Sequence, residues 1–224
     1  MVEIVSSTQE AIAGIFDGAI IMLGGFGGCG TAFNLQAAIT ERGVTNLTVI
    51  CNNLGDCIEL AKAKRIRKAI LGFPVVPGEP SPLVDGYNSG EVEIEIVSAG
   101  ILTERIRAHA AGLAGFYTRV GVGTIFAKGK EVRVFDGQEF IFERALGADF
   151  ALIKGYKGDR VGNLIYRKVA RNNNPIMGMA AKFTIAEVEE IVDAGELDPQ
   201  LVVTPGIFVD RMVKVEKRVH WFRW

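Results

Sequence analysis

The apolar and polar positions of this chain follow two periods in alternation. Short apolar runs at 20–23, 47–51, 69–73 and 150–154 have the length and continuity of strands buried on both faces of a parallel sheet. Between them, 31–42 carries Leu35, Ala38 and Ile39 at helical spacing, and 58–68 and 102–111 also read as helices. Ser7 with Glu10 three positions on is a capping-box pattern that starts a helix through Phe16. Gly43 and Gly112 stop the helices they follow.

Later segments change the pattern. Residues 74–90 hold four of the seven prolines and predict an irregular excursion, not a linker. Strict alternation of acidic and apolar residues over 91–97 predicts a half-exposed strand. Asp136-Gly137 marks the turn of a hairpin over 132–143. Strands are expected at 162–166 and 207–215, and Asn172-Asn173-Asn174-Pro175 forms a turn opening a helix over 176–182. Residues 183–192 fit helix or strand. Alternating strands and helices predict an α/β fold: a three-layer open sheet, mostly parallel, with an antiparallel hairpin addition. Length 224 and one continuous pattern predict a single domain over 1–224.

Composition narrows the function classes. Net charge −1 gives no electrostatic basis for general binding to nucleic acid or an acidic membrane. Cys29, Cys51 and Cys57 form no CxxC pair and there are two histidines, so no metal site is expected and a reduced, cytoplasmic setting is. No apolar run is long enough to span a bilayer, and the N-terminus lacks a signal-peptide pattern.

The candidate site is the stretch Gly24-Gly25-Phe26-Gly27-Gly28-Cys29-Gly30, five glycines in seven residues between a strand and a helix. Backbone without Cβ atoms lets an anion or a carbonyl oxygen approach free N–H groups. Gly25, Gly27 and Gly30 satisfy G-x-G-x-x-G, the dinucleotide fingerprint, but the acid that should end the second strand is missing: that strand ends Cys51-Asn52-Asn53, and the first acid is Asp56. A phosphate loop of the Lys-Ser/Thr type is excluded. A turn serving only close helix–strand packing is the remaining alternative.

Beyond the loop, the sequence resembles the alpha subunits of family I coenzyme A transferases. Asp17, Gly18, Ile21, Met22, Leu23, Gly24, Gly25, Phe26 and Gly30 match the first signature of that family. G-F-Y-T-x-x-G-V-G-T at 115–124, E-R-A-L-x-A-D-F-A-L-I-K at 143–154, G-N-L-I-Y-R-K-x-A-R-N-x-N-P at 162–175 and A-A-K-x-T-I-A-E-V-E-E-I-V at 180–192 are similar to the same subunit in 3-oxoacid CoA-transferases. The resemblance implies transfer of CoA from an acyl-CoA to a carboxylic acid through a glutamyl-CoA thioester, with coenzyme A as substrate and no permanent cofactor. It places the nucleophilic glutamate on a separate beta subunit, in an α2β2 assembly, and no catalytic residue in this chain. It assigns the loop Gly24–Gly30 to CoA binding or to the oxyanion of the tetrahedral intermediate, where each fixed donor is worth about 3–4 kcal/mol.

Ala99 and Gly100 are the expected acid-binding residues. The 3-oxoacid branch reads P-Q-G-T-L-x-E where this chain has Ser98-Ala99-Gly100-Ile101-Leu102-Thr103-Glu104, so Ala99 replaces a glutamine amide. Thr118-Arg119-Val120-Gly121 replaces T-P-T-G. Together with Gly30-Thr31-Ala32, where the family signature ends Gly-x-Pro, these changes predict an acid other than acetoacetate. Of the remaining polar residues, Glu104 is expected to be a salt-bridge partner. The pair Arg105 and Arg107 is expected to split into one buried ion pair and one solvent-facing side chain. Arg171 and Asn172 are expected to fix a turn or an interface, and Cys29 to be a packed thiol. The terminal Trp221-Phe222-Arg223-Trp224 suits a subunit interface or a tail folded onto its own domain. Two further functions stay open, a CoA-transferase-like hydrolase or lyase component and a non-catalytic ligand-binding module of similar fold.

Overall fold

The computed structural model describes residues 2–75, 78 and 80–216. Its main sheet contains β1 (Glu3–Val5), β2 (Ile20–Leu23), β3 (Leu47–Asn53), β4 (Ile66–Phe73), β5 (Glu93–Ile96), β9 (Ala148–Asp159), β11 (Ala181–Val192) and β12 (Arg211–Lys214). They run in the order β1-β12-β11-β9-β2-β3-β4-β5, every neighbour parallel, with β10 (Leu164–Ile165) antiparallel on β9. A second sheet of three antiparallel strands comprises β6 (Gly115–Thr118), β8 (Gln138–Arg144) and β7 (Val132–Phe135).

Both faces of the parallel sheet are buried, which explains the unbroken apolar runs. On one face Ile21, Leu23, Val49, Cys51, Ala69, Leu71 and Leu152 pack against α1 (Thr8–Ala11), α2 (Phe33–Arg42), α3 (Leu54–Lys62) and α4 (Pro82–Asn88). On the other, the alternate residues Met22, Ile50, Ile70, Ala151 and Ile153 pack against α5 (Ala99–Ala110) and α6 (Asn174–Ala180). Sliding any of these strands by one residue would exchange the two sets, so the register is held from both sides.

The sheet also fixes where a ligand site belongs. Successive strands β2 to β5 step outward in one direction, while β9 joins β2 on the opposite edge. The order therefore reverses between β2 and β9, and loops leaving the carboxyl ends of those strands diverge and open a crevice. The glycine loop leaves β2 at that point.

Several boundaries depart from expectation for local reasons. The helix expected at 58–68 is α3, which starts earlier because Asn53 and Asp56 form a reciprocal capping box. It ends where Lys64 turns with φ 55°, and Ile66 pairs with Leu47 as strand, so the basic run is split. Arg65 then caps the Thr40 carbonyl and Lys68 pairs with Glu93 and Glu95. The 74–90 stretch contains α4, with Ser81 as N-cap and Pro82 in the first turn, a placement proline favours. Only 8–11 of the first predicted helix forms, behind an intact Ser7 cap on the Glu10 N–H. Residues 183–192 are strand within β11, and 207–215 divides into a short 3-10 turn, Gly206–Phe208, followed by β12.

The hairpin forms as expected, with Asp136 at φ 51° and Gly137 at φ 71°, the left-handed pair of a primed two-residue turn. It joins β6 and packs Tyr117 against Phe135 and Phe142, separately from the parallel sheet. The tail containing Trp221 and Trp224 lies outside the described residues.

Candidate functional site

The glycine loop is pinned from several directions. Gly24 N–H donates to the Leu152 carbonyl across the sheet, and Phe26 and Cys29 exchange two backbone hydrogen bonds of 3.0 Å. Gly28 N–H donates to Asp56 Oδ1 at 3.1 Å, and Thr31 Oγ1 donates to the same oxygen at 3.0 Å. Two first-turn amides of α2, those of Asn34 and Leu35, donate to the buried Glu187 carboxylate at 3.0 and 3.1 Å. The helix start that the sequence presents as an anion site is therefore already capped by a side chain of this chain. Among the described residues, the amides of Gly25, Gly27 and Gly30 have no partner, and these are the donors the loop keeps.

Cys29 departs from expectation. Its thiol is exposed rather than packed, because the tight backbone pairing of Phe26 with Cys29 holds both residues at the outer tip of the loop. Cys51 and Cys57 are the buried thiols.

Two glycines are required by what lies against them. A Cβ on Gly24 would sit 1.8 Å from Asn174 Oδ1, and one on Gly30 would sit 2.2 Å from the Ala170 carbonyl oxygen. Asn174, fully buried, accepts from Lys154 N–H and donates to both the Gly30 and Ala170 carbonyls. The loop is thus stitched to the segment that opens α6, far along the chain.

Three more asparagines continue this stitching into a network whose orientation is determined by one-way donors and acceptors. Asn52, at the end of β3, donates Nδ2 to the Gly25 carbonyl (2.6 Å) and to Asn172 Oδ1 (2.8 Å). Asn173 N–H also donates to Asn172 Oδ1 at 2.8 Å, and Asn173 Nδ2 donates to Asn52 Oδ1 and Thr103 Oγ1, both at 3.2 Å. A carbonyl only accepts and a backbone N–H only donates, so the amide orientations of Asn52 and Asn172 follow. Asn172 itself sits at φ 27° and ψ −126°, backbone space that residues with a Cβ rarely enter and that costs about 1–3 kcal/mol.

These groups border a cleft of about 540 Å³. Phe26, Asn52, Asn172 and Asn173 line it together with Ala99, Gly100, Thr103, Phe116, Thr118 and Val120. Phe26 is 40% exposed, unusual for a phenylalanine amid so much core, and it lines the cleft. Ala99 and Gly100 form the first turn of α5, so the expected acid-binding pair and one loop residue meet here from separate segments. Glu104 also reaches the cleft, with its Oε2 held by Arg107 at 2.7 Å, while Arg105 makes a half-buried pair with Glu95 at 2.9 Å. Arg107 faces solvent as expected, whereas the Arg105 pair is only half-buried.

A neighbouring cavity of about 730 Å³ shares Ser98, Ile101 and Val120 with the cleft. It is larger, but its acids Glu95, Glu131 and Glu143 are bound by Arg105, Arg133 and Lys130, and the glycine loop does not line it. The smaller cleft, at the strand-order reversal, is the candidate site.

Electrostatics support an anchoring role for the acids around the loop. Burial pushes the Asp56 carboxyl up to about 7, against the opposing pull of the Gly28, Thr31 and Asn53 hydrogen bonds. Its oxygens face the loop and the α3 start, leaving none to grip a ribose, which removes the dinucleotide reading. Glu187, fully buried, is matched by Lys154 Nζ at 3.0 Å.

Phe26, Ala99 and Gly100 are cleft residues marked in the sequence; Asn52, Asn173, Thr103 and Phe116 are not. For Asn52 a signal does exist, a polar residue ending a parallel strand.

Comparison with known proteins gives the family. Residues 5–215 match the family model described as Coenzyme A transferase. A Bacillus subtilis (strain 168) protein, named as the A-type subunit of a probable succinyl-CoA:3-ketoacid coenzyme A transferase, is 46% identical over 226 residues, covering 98% of this chain and 94% of its own. The A-type subunit of a Pseudomonas putida 3-oxoadipate CoA-transferase is 46% identical over 213 residues, 93% of this chain and 92% of its own. In fold, the chain is similar to an acyl-CoA transferase from E. coli O157:H7 (TM-score 0.84, 21% identity), covering 98% of this chain and 49% of that one. Glutaconate coenzyme A-transferase from Acidaminococcus fermentans gives a TM-score of 0.85 at 20% identity, covering 96% and 76%. A match of this length at this identity settles the classification: the chain belongs to the coenzyme A transferase family.

Proposed function

We propose that this chain is the alpha subunit of an acyl-CoA:carboxylate CoA-transferase that works with a separate beta subunit. The reading is carried by the near full-length match to the Bacillus subtilis relative, whose own name makes it one subunit of such an enzyme. The attacking carboxylate belongs to the beta subunit; Glu104, the acid in this cleft, is engaged by Arg107.

The partner's glutamate oxygen bonds to the thioester carbonyl carbon, and the carbonyl π pair moves onto oxygen. Collapse of that oxyanion breaks the C–S bond and releases CoA thiolate, leaving an acyl-glutamyl anhydride. The thiolate then attacks the glutamyl carbonyl and expels the first acid as its carboxylate. A second acid reclaims CoA by the reverse steps, which gives ping-pong kinetics. The contribution of this chain is a shaped wall: Phe26, Ala99 and Gly100 confine the acyl group, and the unengaged amides of the loop Gly24–Gly30 offer donors to CoA or to the oxyanion. Ala99, lacking an amide, suits an acid without a 3-oxo group, or a bulkier one, better than acetoacetate.

The test is co-purification with a beta-subunit chain, followed by incubation with acyl-CoA in the absence of acid. Intact mass should show CoA added to the partner and none on this chain, and exchange should require both. A CoA adduct on this chain, or hydrolysis without transfer, would refute the assignment. Succinyl-CoA:acetoacetate exchange as fast as every other acid pair would refute the acid preference.

A further inference from the structure

We infer that Asn172 is a substrate-contacting residue whose side-chain N–H group donates to the carbonyl oxygen of the bound acyl thioester. The inference rests on the transferase reading above and assigns a specific donor within it. Its Oδ1 is fixed by two donors, Asn52 Nδ2 at 2.8 Å and Asn173 N–H at 2.8 Å. Those two contacts leave Nδ2 as the free end of the amide, and it has no hydrogen-bond partner among the described residues. The residue lines the cleft beside Phe26, Asn52 and Asn173.

The neighbouring amides cannot take this task without breaking the network. Asn52 already directs both N–H bonds of Nδ2, to Gly25 and Asn172, and Asn173 Nδ2 is held by Asn52 and Thr103. Asn174 is buried and engaged at both ends. Asn172 is therefore the asparagine of this cluster with donors left for a ligand. Its φ of 27° is a second sign. A strained backbone persists where surrounding contacts over-determine it, and such positions cluster at ligand clamps. Here the contacts that hold the strain are the same ones that aim the amide.

As the partner's carboxylate attacks, negative charge gathers on the acyl oxygen, and a preset N–H donor stabilises that state more than the ground-state carbonyl. The residue need move no proton; it holds its hydrogen bond while the C–O bond forms and the C–S bond breaks.

Asn172→Asp separates this role from a structural one, because the carboxylate keeps an oxygen for Asn52 and Asn173 while losing the donor. With the partner subunit bound, at pH 8, kcat/KM should fall by about 100-fold or more, the loss expected for one oxyanion donor. The urea midpoint should stay near that of the wild type. As pH is lowered toward the carboxyl range, the variant should recover relative to wild type, since a protonated carboxyl regains an O–H donor. Asn172→Gly, which relieves the backbone strain, should also lose activity but show no recovery. Activity of the Asp variant within threefold of wild type would overturn the inference, as would equal low-pH recovery in the Gly variant. A wild-type complex that exchanges no CoA would instead overturn the transferase reading, and this one with it.

Discussion

Replacing Gly24 with alanine tests how the loop is built. The new methyl would lie 1.8 Å from Asn174 Oδ1 and 2.6 Å from its Cγ, so either the loop or the asparagine must move. Asn174 is the less free to yield, being fully buried with its carbonyl on Lys154 N–H at 3.0 Å and its amide on the Gly30 and Ala170 carbonyls at 2.9 and 2.8 Å. Expelling it strands those backbone groups, at about 1–3 kcal/mol for each buried group left unmatched. With partial relaxation the total is roughly 3–6 kcal/mol, or a fall in Tm of about 6–24 °C for a chain of this length. Urea unfolding at fixed protomer concentration gives the value, since assembly shifts apparent stability. The decisive comparison is a double-mutant cycle. Asn174→Ala should be destabilised by a similar amount, and adding Gly24→Ala to it should then cost less than about 1 kcal/mol, within the range of a relaxed glycine-to-alanine change. Equal cost of Gly24→Ala in both backgrounds would refute the reasoning, because the methyl would then be meeting something other than Asn174.

The other acids and the loop thiol give further tests. Because the Asp56 carboxyl is pushed up to about 7 from the ordinary 3.8, the native state binds more protons than the unfolded one between those values, so its contribution to stability is greatest below 3.8 and declines as pH rises to about 7. Asp56→Asn should therefore gain stability relative to wild type as pH is raised from 4 to 7, measured by urea midpoints; a difference independent of pH would refute this. Glu187→Gln leaves Lys154 Nζ buried without its anion and weakens the α2 cap, for a loss of about 3–5 kcal/mol by chemical denaturation, and a loss under about 1 kcal/mol would contradict the network. Cys29 holds the loop through backbone bonds and its side chain is exposed, so Cys29→Ser should keep exchange activity within about threefold of wild type, and inactivation would show a role for the thiol.

How much of this is legible in the sequence depends on the reach of each signal. The apolar runs at 20–23 and 150–154 declare buried strands, because two-sided burial leaves no alternation to misread. The primed turn at Asp136-Gly137 is a local code and reads correctly from its own two residues. The end of α3 does not, since Lys62, Lys64, Arg65, Arg67 and Lys68 look like one solvated helix face until Ile66 is paired with Leu47. The strand β6 is hidden for the same reason: it is defined by its partner β8, not by its own four residues.

The site shows the same division more sharply. The glycine cluster is conspicuous in one dimension, yet the causes of its glycines lie elsewhere: Gly24 yields to Asn174, and Gly30 yields to the Ala170 carbonyl. In sequence the bare backbone looks like space left for a ligand, and part of that space is filled by the segment around the start of α6. What remains for a ligand is the cleft lined by Asn172 and Phe26 with Ala99 and Gly100. A loop from β2, the end of β3, the start of α5 and the approach to α6 each supply one part, and no linear motif joins them. The glycines thus have a double function: they admit the asparagine segment closely enough for Asn52 and Asn174 to hold the loop, and that hold determines which amides stay unengaged. A substitution that loosens the stitching should therefore impair activity even where it leaves every cleft-lining side chain in place.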